Sequence, residues 1–193
     1  TGFIMNHVDI NQHSPKLVES VIKALISIEK RDDESLNNWL EKNFNSMVKV
    51  NERRKEMWVA SRWKHYNDFR IFIMGIKGNE EIFGDGLVYQ GVSDEPRQYR
   101  GQTGAQDNII PMEDIFTGVI NFYPKNQLTK YLMDLRTYRP KCIQHFFNDL
   151  RDEIEKIEGK SLFNYLVKSK NSVGLCFLLA IVEEIYKFRN GHW

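Results

Sequence analysis

The sequence predicts an all-α protein, and three observations carry the prediction. Apolar residues recur at three- and four-residue spacing along most of the chain, which puts them on one face of a helix. Residues suited to starting helices stand just before these runs, at Ser14-Pro15, Asp33, Asn126, Pro140, Ser161 and Asn171 or Ser172. The apolar run FRIFIMGI at 69–76 fits either strand or buried helix by pattern, and its helical neighbours decide for helix.

Taken in order, Ser14 is expected to cap a helix with Pro15 as its first residue and Leu17, Val18, Val21, Ile22, Leu25 and Ile26 on one face. Asp33 caps a second, carrying Leu36, Trp39, Leu40, Phe44, Met47 and Val48. Asn126 starts one with Leu128, Tyr131, Leu132 and Leu135. Pro140 opens another through Phe146, Phe147, Leu150 and Ile154, stopped by Gly159. Ser161 caps a short helix, and the last runs from Asn171 or Ser172 through Leu178, Leu179, Val182, Ile185 and Tyr186 toward His192. Between about Lys77 and Asn108 the periodicity fails, and seven of the twelve glycines fall between Gly75 and Gly104. So long a loop in a helical domain tends to be functional. Because it contains Leu87, Val88 and Tyr89, it is expected to pack and to line a site.

At 193 residues the chain has the length of one domain with its own core, 1–193. With 27 basic and 26 acidic residues, its charge gives no reason to expect nucleic acid or an anionic membrane as partner. No apolar stretch reaches transmembrane length, and TGFIMNHVD lacks the layout of a signal peptide. The absence of an initiator Met suggests a fragment. Cys142 and Cys176 have no metal-type spacing, so they read as small core residues of a reduced, cytoplasmic protein.

There is no Walker-type loop, no GxSxG and no HExxH, which leaves simple hydrolase and NTPase chemistry without support. Three short pairs do suggest chemistry. Phe3 and His7 stand four apart, an aromatic ring beside an imidazole if helical. Tyr66 and Arg70 repeat that spacing, a phenol and a guanidinium able to meet one carboxylate. Arg189 precedes His192 by one turn, an arrangement that suits a haem with His on the iron. Each also has a plain reading as helix packing or surface.

Longer motifs add to these pairs. The stretch GLVYQGVSDEPRQYRGQTGAQDNIIPMEDIFTG, Gly86 to Gly118, resembles the indoleamine 2,3-dioxygenase family. So do LMDLRTYRP (Leu132 to Pro140), the Ser169–Leu175 stretch, Arg189-Asn190-Gly191-His192, and FRIFIMGIKGN upstream. The resemblance implies an all-helical fold holding b-type haem, with an indole substrate and O2 as small-molecule partners. The reaction it implies is dioxygenation of the indole C2–C3 bond of tryptophan, giving N-formylkynurenine. It makes His192 the iron ligand, and Arg189 with Asp114 a pair steadying its helix. Arg70 becomes the binder of the substrate carboxylate, Thr103 a contact to its ammonium, and Phe3 a packing partner of the indole. Gln102, Thr103 and Gly104 form a small-residue loop above the haem. The family also has a smaller N-terminal domain before the Phe3 region and helical sequence after the histidine, both expected to be missing here. Three departures stand out. His7 replaces the serine of animal members and resembles the distal histidine of tryptophan 2,3-dioxygenases. Tyr66 follows that second pattern too, and the loop reads GQTGA where the family version is richer in glycine. A microbial-type member with a hybrid pocket fits, which leaves a modified tryptophan, another indole, or an O2 carrier or sensor as alternatives.

Overall fold

Every residue from Ile109 to Thr117 is buried, and the other helices are arranged around that segment. The computed structural model describes residues 2–73 and 75–191. In chain order the helices are α1 (Gly2–Asn11), α2 (Ser14–Glu29), α3 (Asp33–Lys55), α4 (Met57–Ala60), α5 (Trp63–Phe72) and α6 (Glu80–Phe83). They continue as α7 (Ile109–Thr117), α8 (Gln127–Arg136), α9 (Lys141–Lys156), α10 (Leu162–Lys168) and α11 (Ser172–Asn190). Two 3₁₀ turns, Gly104–Gln106 and Val119–Phe122, flank α7. Among the described residues the only extended pairing is one antiparallel bridge, Leu87 to Arg97. The fold is all-α, as the sequence predicts.

The helix α3 forms the spine. It pairs with α2 across the short turn at Arg31, whose φ of 53° reverses the chain, and its other flank meets α11. Leu17, Val21 and Ala24 of α2, Leu36, Leu40 and Met47 of α3, and Ile181 and Ile185 of α11 share one core. Burying a side chain of this kind stabilises the fold by about 1.5–3 kcal/mol. Helix α7 lies against α2, α9, α10 and α11. Two asparagines of α3 supply hydrogen bonds inside this apolar interior. Asn43 Nδ2 donates to Ser20 Oγ and to Glu113 Oε1, each at 3.0 Å. Asn51 Nδ2 donates to the Glu184 carbonyl at 2.9 Å and to its carboxylate at 2.8 Å.

Asn126, Ser161 and Asn171 cap their helices by accepting backbone N–H groups, and Pro140 stands at the start of α9, as expected. Two start positions differ. Asp32, not Asp33, accepts the amide of Ser35, since Asp33 is already helical. Ser14 lies inside α2 and donates to the Asn11 carbonyl, because α1 runs into α2 through a helical His13. The expected stripes also included residues that lie outside: Ile22, Leu179 and Tyr186 are exposed. Both cysteines are exposed rather than core. Cys176 sits two residues from both Gly174 and Leu178, which turns it to the opposite side of α11.

The helix expected over 69–76 ends at Phe72. Beyond it the chain meets the other end of the long loop. A Cβ on Gly75 would lie 1.9 Å from the Gly101 nitrogen, so no other residue fits there without movement. The amides of Ile76 and Lys77 both donate to the Tyr99 carbonyl, at 2.8 and 3.1 Å. The loop is structured, as expected, but Leu87, Val88 and Tyr89 stay largely exposed. A ribbon with a single bridge has no second layer to cover them. Helix α1 rests on α3 and α4, where Asn6 Nδ2 donates to the Arg53 carbonyl and Gly2 fits against Ala60. That contact positions Phe3 and His7. No helix among the described residues is long and apolar enough to cross a membrane.

Candidate functional site

Helix α1, helix α5 and the glycine-rich loop bring one group of predicted residues together. The Phe3 ring lies 4.5 Å from that of His7, 5.1 Å from Tyr66 and 5.7 Å from Phe69, centroid to centroid. His7 Nδ1 is 2.9 Å from the Phe3 carbonyl, which can only accept, so Nδ1 carries the hydrogen. In the neutral ring Nε2 is then an acceptor. It faces Gly104, where an added Cβ would sit 3.6 Å away. Arg70, exposed, donates from Nη1 to the Gln102 carbonyl at 3.2 Å. Thr103 caps the Gly104–Gln106 turn: its Oγ1 accepts the Ala105 amide, and its own amide donates to Gln106 Oε1.

Beside Arg70 opens a cleft of about 440 Å³, lined among others by Asn67, Lys77, Arg100, Gln102 and Tyr131. Arg100 stacks on Tyr131 at 4.6 Å and bonds Asp134, which also pairs with Lys77 at 2.9 Å. The Lys77 and Arg100 hydrogen bonds hold the Asp134 carboxyl below its ordinary range. Three cations face one carboxylate, so the cleft favours an anion.

A second cluster forms around Asp114, fully buried on α7. Arg189 Nη2 lies 2.5 Å from Asp114 Oδ2, joining α11 to α7 as the sequence reading expects. Two further residues take part. The Tyr123 hydroxyl donates to the same oxygen, and Arg136 Nη2 stands 3.9 Å from it. Burial and the neighbouring Asp114 charge push the Tyr123 phenol up to about 12, so it stays protonated. Helix α11 ends at Asn190, and its cap Gly191 lies against the Arg54 guanidinium. His192 lies outside the described residues.

The family model for indoleamine 2,3-dioxygenase matches residues 1–193. The chain belongs to the indoleamine 2,3-dioxygenase family. It is 24% identical to rat indoleamine 2,3-dioxygenase 1 over 154 residues, 77% of this chain and 37% of the relative. It is 24% identical to human indoleamine 2,3-dioxygenase 2 over 192 residues, 99% of this chain and 45% of the relative. A protein named myoglobin from Haliotis madaka is 32% identical over 92 residues, 48% of this chain and 24% of that protein. The chain thus spans less than half the length of these relatives.

For this member of the indoleamine 2,3-dioxygenase family, the resemblance implies a haem, a wide apolar plate with an iron centre and two carboxylates. The residues present fit such a group. Among the described residues Arg136 Nη1 and Asp114 Oδ1 are buried without a hydrogen-bond partner, and Asp114 with Arg136 and Arg189 carries a surplus positive charge. Near His7 the glycine at 104 leaves open the volume that a side chain would occupy. Of the predicted residues, Phe3, His7, Tyr66, Arg70, Gln102, Thr103 and Gly104 gather on the α1–α5 side. Asp114 and Arg189 gather on the α7–α11 side. Sequence reasoning missed Arg100 and Tyr123. No pattern marks them, because they enter through loop geometry rather than helical spacing.

Proposed function

We propose that the protein is a haem-dependent dioxygenase that opens the indole ring of tryptophan with O2 to give N-formylkynurenine. The observation that carries this reading is the side-by-side arrangement of the exposed Arg70 guanidinium, the Phe3–Tyr66–Phe69 rings and the outward Nε2 of His7. His192 would ligate the iron of b-type haem, with Asp114 and Arg189 steadying the turn before it and Gln102 belonging to the loop above. The haem, when bound, supplies the activation of O2.

The chain's own residues supply position. Arg70 takes the substrate carboxylate, bidentately through its planar fork, and Tyr66 adds a phenol on the same helix face. Phe3 packs on the indole and, with Phe69, keeps water from it. Nε2 of neutral His7 accepts the indole N–H, since Nδ1 is committed to the Phe3 carbonyl. Thr103 offers its hydroxyl oxygen to the substrate ammonium, and Gly104 leaves space for the ring. Fixing the indole in this way converts an encounter into a positioned reaction.

A second reading, a haem-based O2 carrier or sensor, draws support from the similarity to the protein named myoglobin. A related oxygenase of a modified tryptophan or another indole would use the same pocket. The natural full-length protein, reduced and supplied with O2, is expected to show a Soret band and to consume tryptophan with a mass gain of two oxygen atoms. Spectral O2 binding without turnover would favour the carrier. Arg70→Leu is expected to raise the tryptophan KM by tenfold or more, from a lost charge-assisted pair of about 1.5–3 kcal/mol, with haem uptake intact. An unchanged KM removes the carboxylate clamp.

A further inference from the structure

Helix α7 ends at Gly118 in the left-handed conformation, φ 83°, and the chain doubles back through the Val119–Phe122 turn. Tyr123 follows with extended backbone, as the residue before Pro124 prefers. This reversal returns the phenol to Asp114, nine residues earlier. There the Tyr123 hydroxyl has three polar neighbours. It donates to Asp114 Oδ2, accepts from Arg189 Nη2 at 2.5 Å, and lies 3.5 Å from Arg136 Nη2. The ring itself lies under both guanidinium groups, with Cζ of Arg189 at 5.2 Å and of Arg136 at 5.8 Å from its centroid.

We infer that Tyr123 is a positioning residue for the iron ligand, holding Arg189, one turn before His192, in register with Asp114. The inference rests on the haem reading above. Asp114 is fully buried, and among the described residues its Oδ1 has no partner and its side-chain hydrogen bonds converge on Oδ2. Removing the phenol takes one of the two short donors from that oxygen and the hydroxyl that Arg136 Nη2 approaches at 3.5 Å, leaving Arg136 its 3.9 Å ion pair with Asp114. Arg189 then keeps a single contact with Asp114, and the last turn of α11, which leads in sequence to His192, gains freedom. The contacts of the Tyr123 hydroxyl among the described residues are with Asp114, Arg189 and Arg136, and its effect passes through them.

Tyr123→Phe tests this, since it keeps the ring under both arginines and deletes only the hydroxyl. In the natural full-length protein the variant is expected to lose haem about tenfold faster, the scale on which outer partners of a metal ligand act. The iron–histidine stretch of the ferrous protein, read by resonance Raman, is expected to shift or broaden, while the tryptophan KM set by Arg70 is unchanged. In an Asp114→Asn background the same substitution is expected to add less than twofold, because both changes interrupt one path. A wild-type stretch and haem-loss rate in Tyr123→Phe overturn the inference, as does full additivity with Asp114→Asn. A wild-type protein that takes up no haem overturns the haem reading first and the role of Tyr123 with it.

Discussion

Glu113 and Asp114 are neighbours on α7, both fully buried, yet their surroundings differ. Asp114 meets two arginines and a phenol, whereas the Glu113 carboxyl accepts from the Asn43 amide, and its Oε2 has no partner among the described residues. Burial pushes the Glu113 carboxyl up to about 8, with Asn43 opposing and the Asp114 charge adding to the rise. Folded Glu113 therefore keeps a proton that the unfolded chain releases near its usual 4.5. Its contribution is fully present below that value and is lost as pH rises toward 8, at up to about 1.4 kcal/mol per pH unit. Glu113→Gln is expected to flatten this slope in denaturant unfolding measured across the window. Parallel slopes in the two proteins would exclude a buried proton at Glu113.

At the scale of elements, the sequence patterns located the long helices and several caps because those signals are local. Asn126, Ser161 and Asn171 each bond an amide three residues on. The site was legible unevenly. Phe3 with His7, and Tyr66 with Arg70, are read from four-residue spacing, and Asp114 with Arg189 from motif order alone. Arg100 and Tyr123 arrive by chain reversals, whose end points depend on which backbone conformations the glycines adopt. The 75–101 contact shows how strict that dependence is. Gly75→Ala would drive a methyl into the Gly101 backbone, and the chain must separate to admit it. The loss of the two amide bonds to Tyr99 is expected to cost about 1–3 kcal/mol. The change should weaken tryptophan binding through the displaced Gln102 carbonyl, with helix content by circular dichroism unchanged. Unaltered binding would detach this loop from the site.

Across the whole molecule, α8 ties the two clusters together. Asp134 holds Lys77 and Arg100 at the cleft, and Arg136, two residues on, belongs to the Asp114 group. The α3 spine does the same for the core, where Asn51 fastens α11 by two hydrogen bonds to Glu184. Asn51→Ala would leave those buried oxygens short of a donor and is expected to lower the unfolding free energy by about 1–3 kcal/mol. Urea unfolding with an unchanged m-value would register it. A smaller loss would mean that Lys187, which also reaches the Glu184 carboxylate, suffices. One carbonyl near the site has a kinetic consequence. Because the amides of Ile76 and Lys77 share the Tyr99 oxygen, they lose their acceptor in the same instant. Solvent exchange at the two positions is thereby coupled, and the segment leading to Gln102 and Thr103 opens in one event instead of fraying bond by bond.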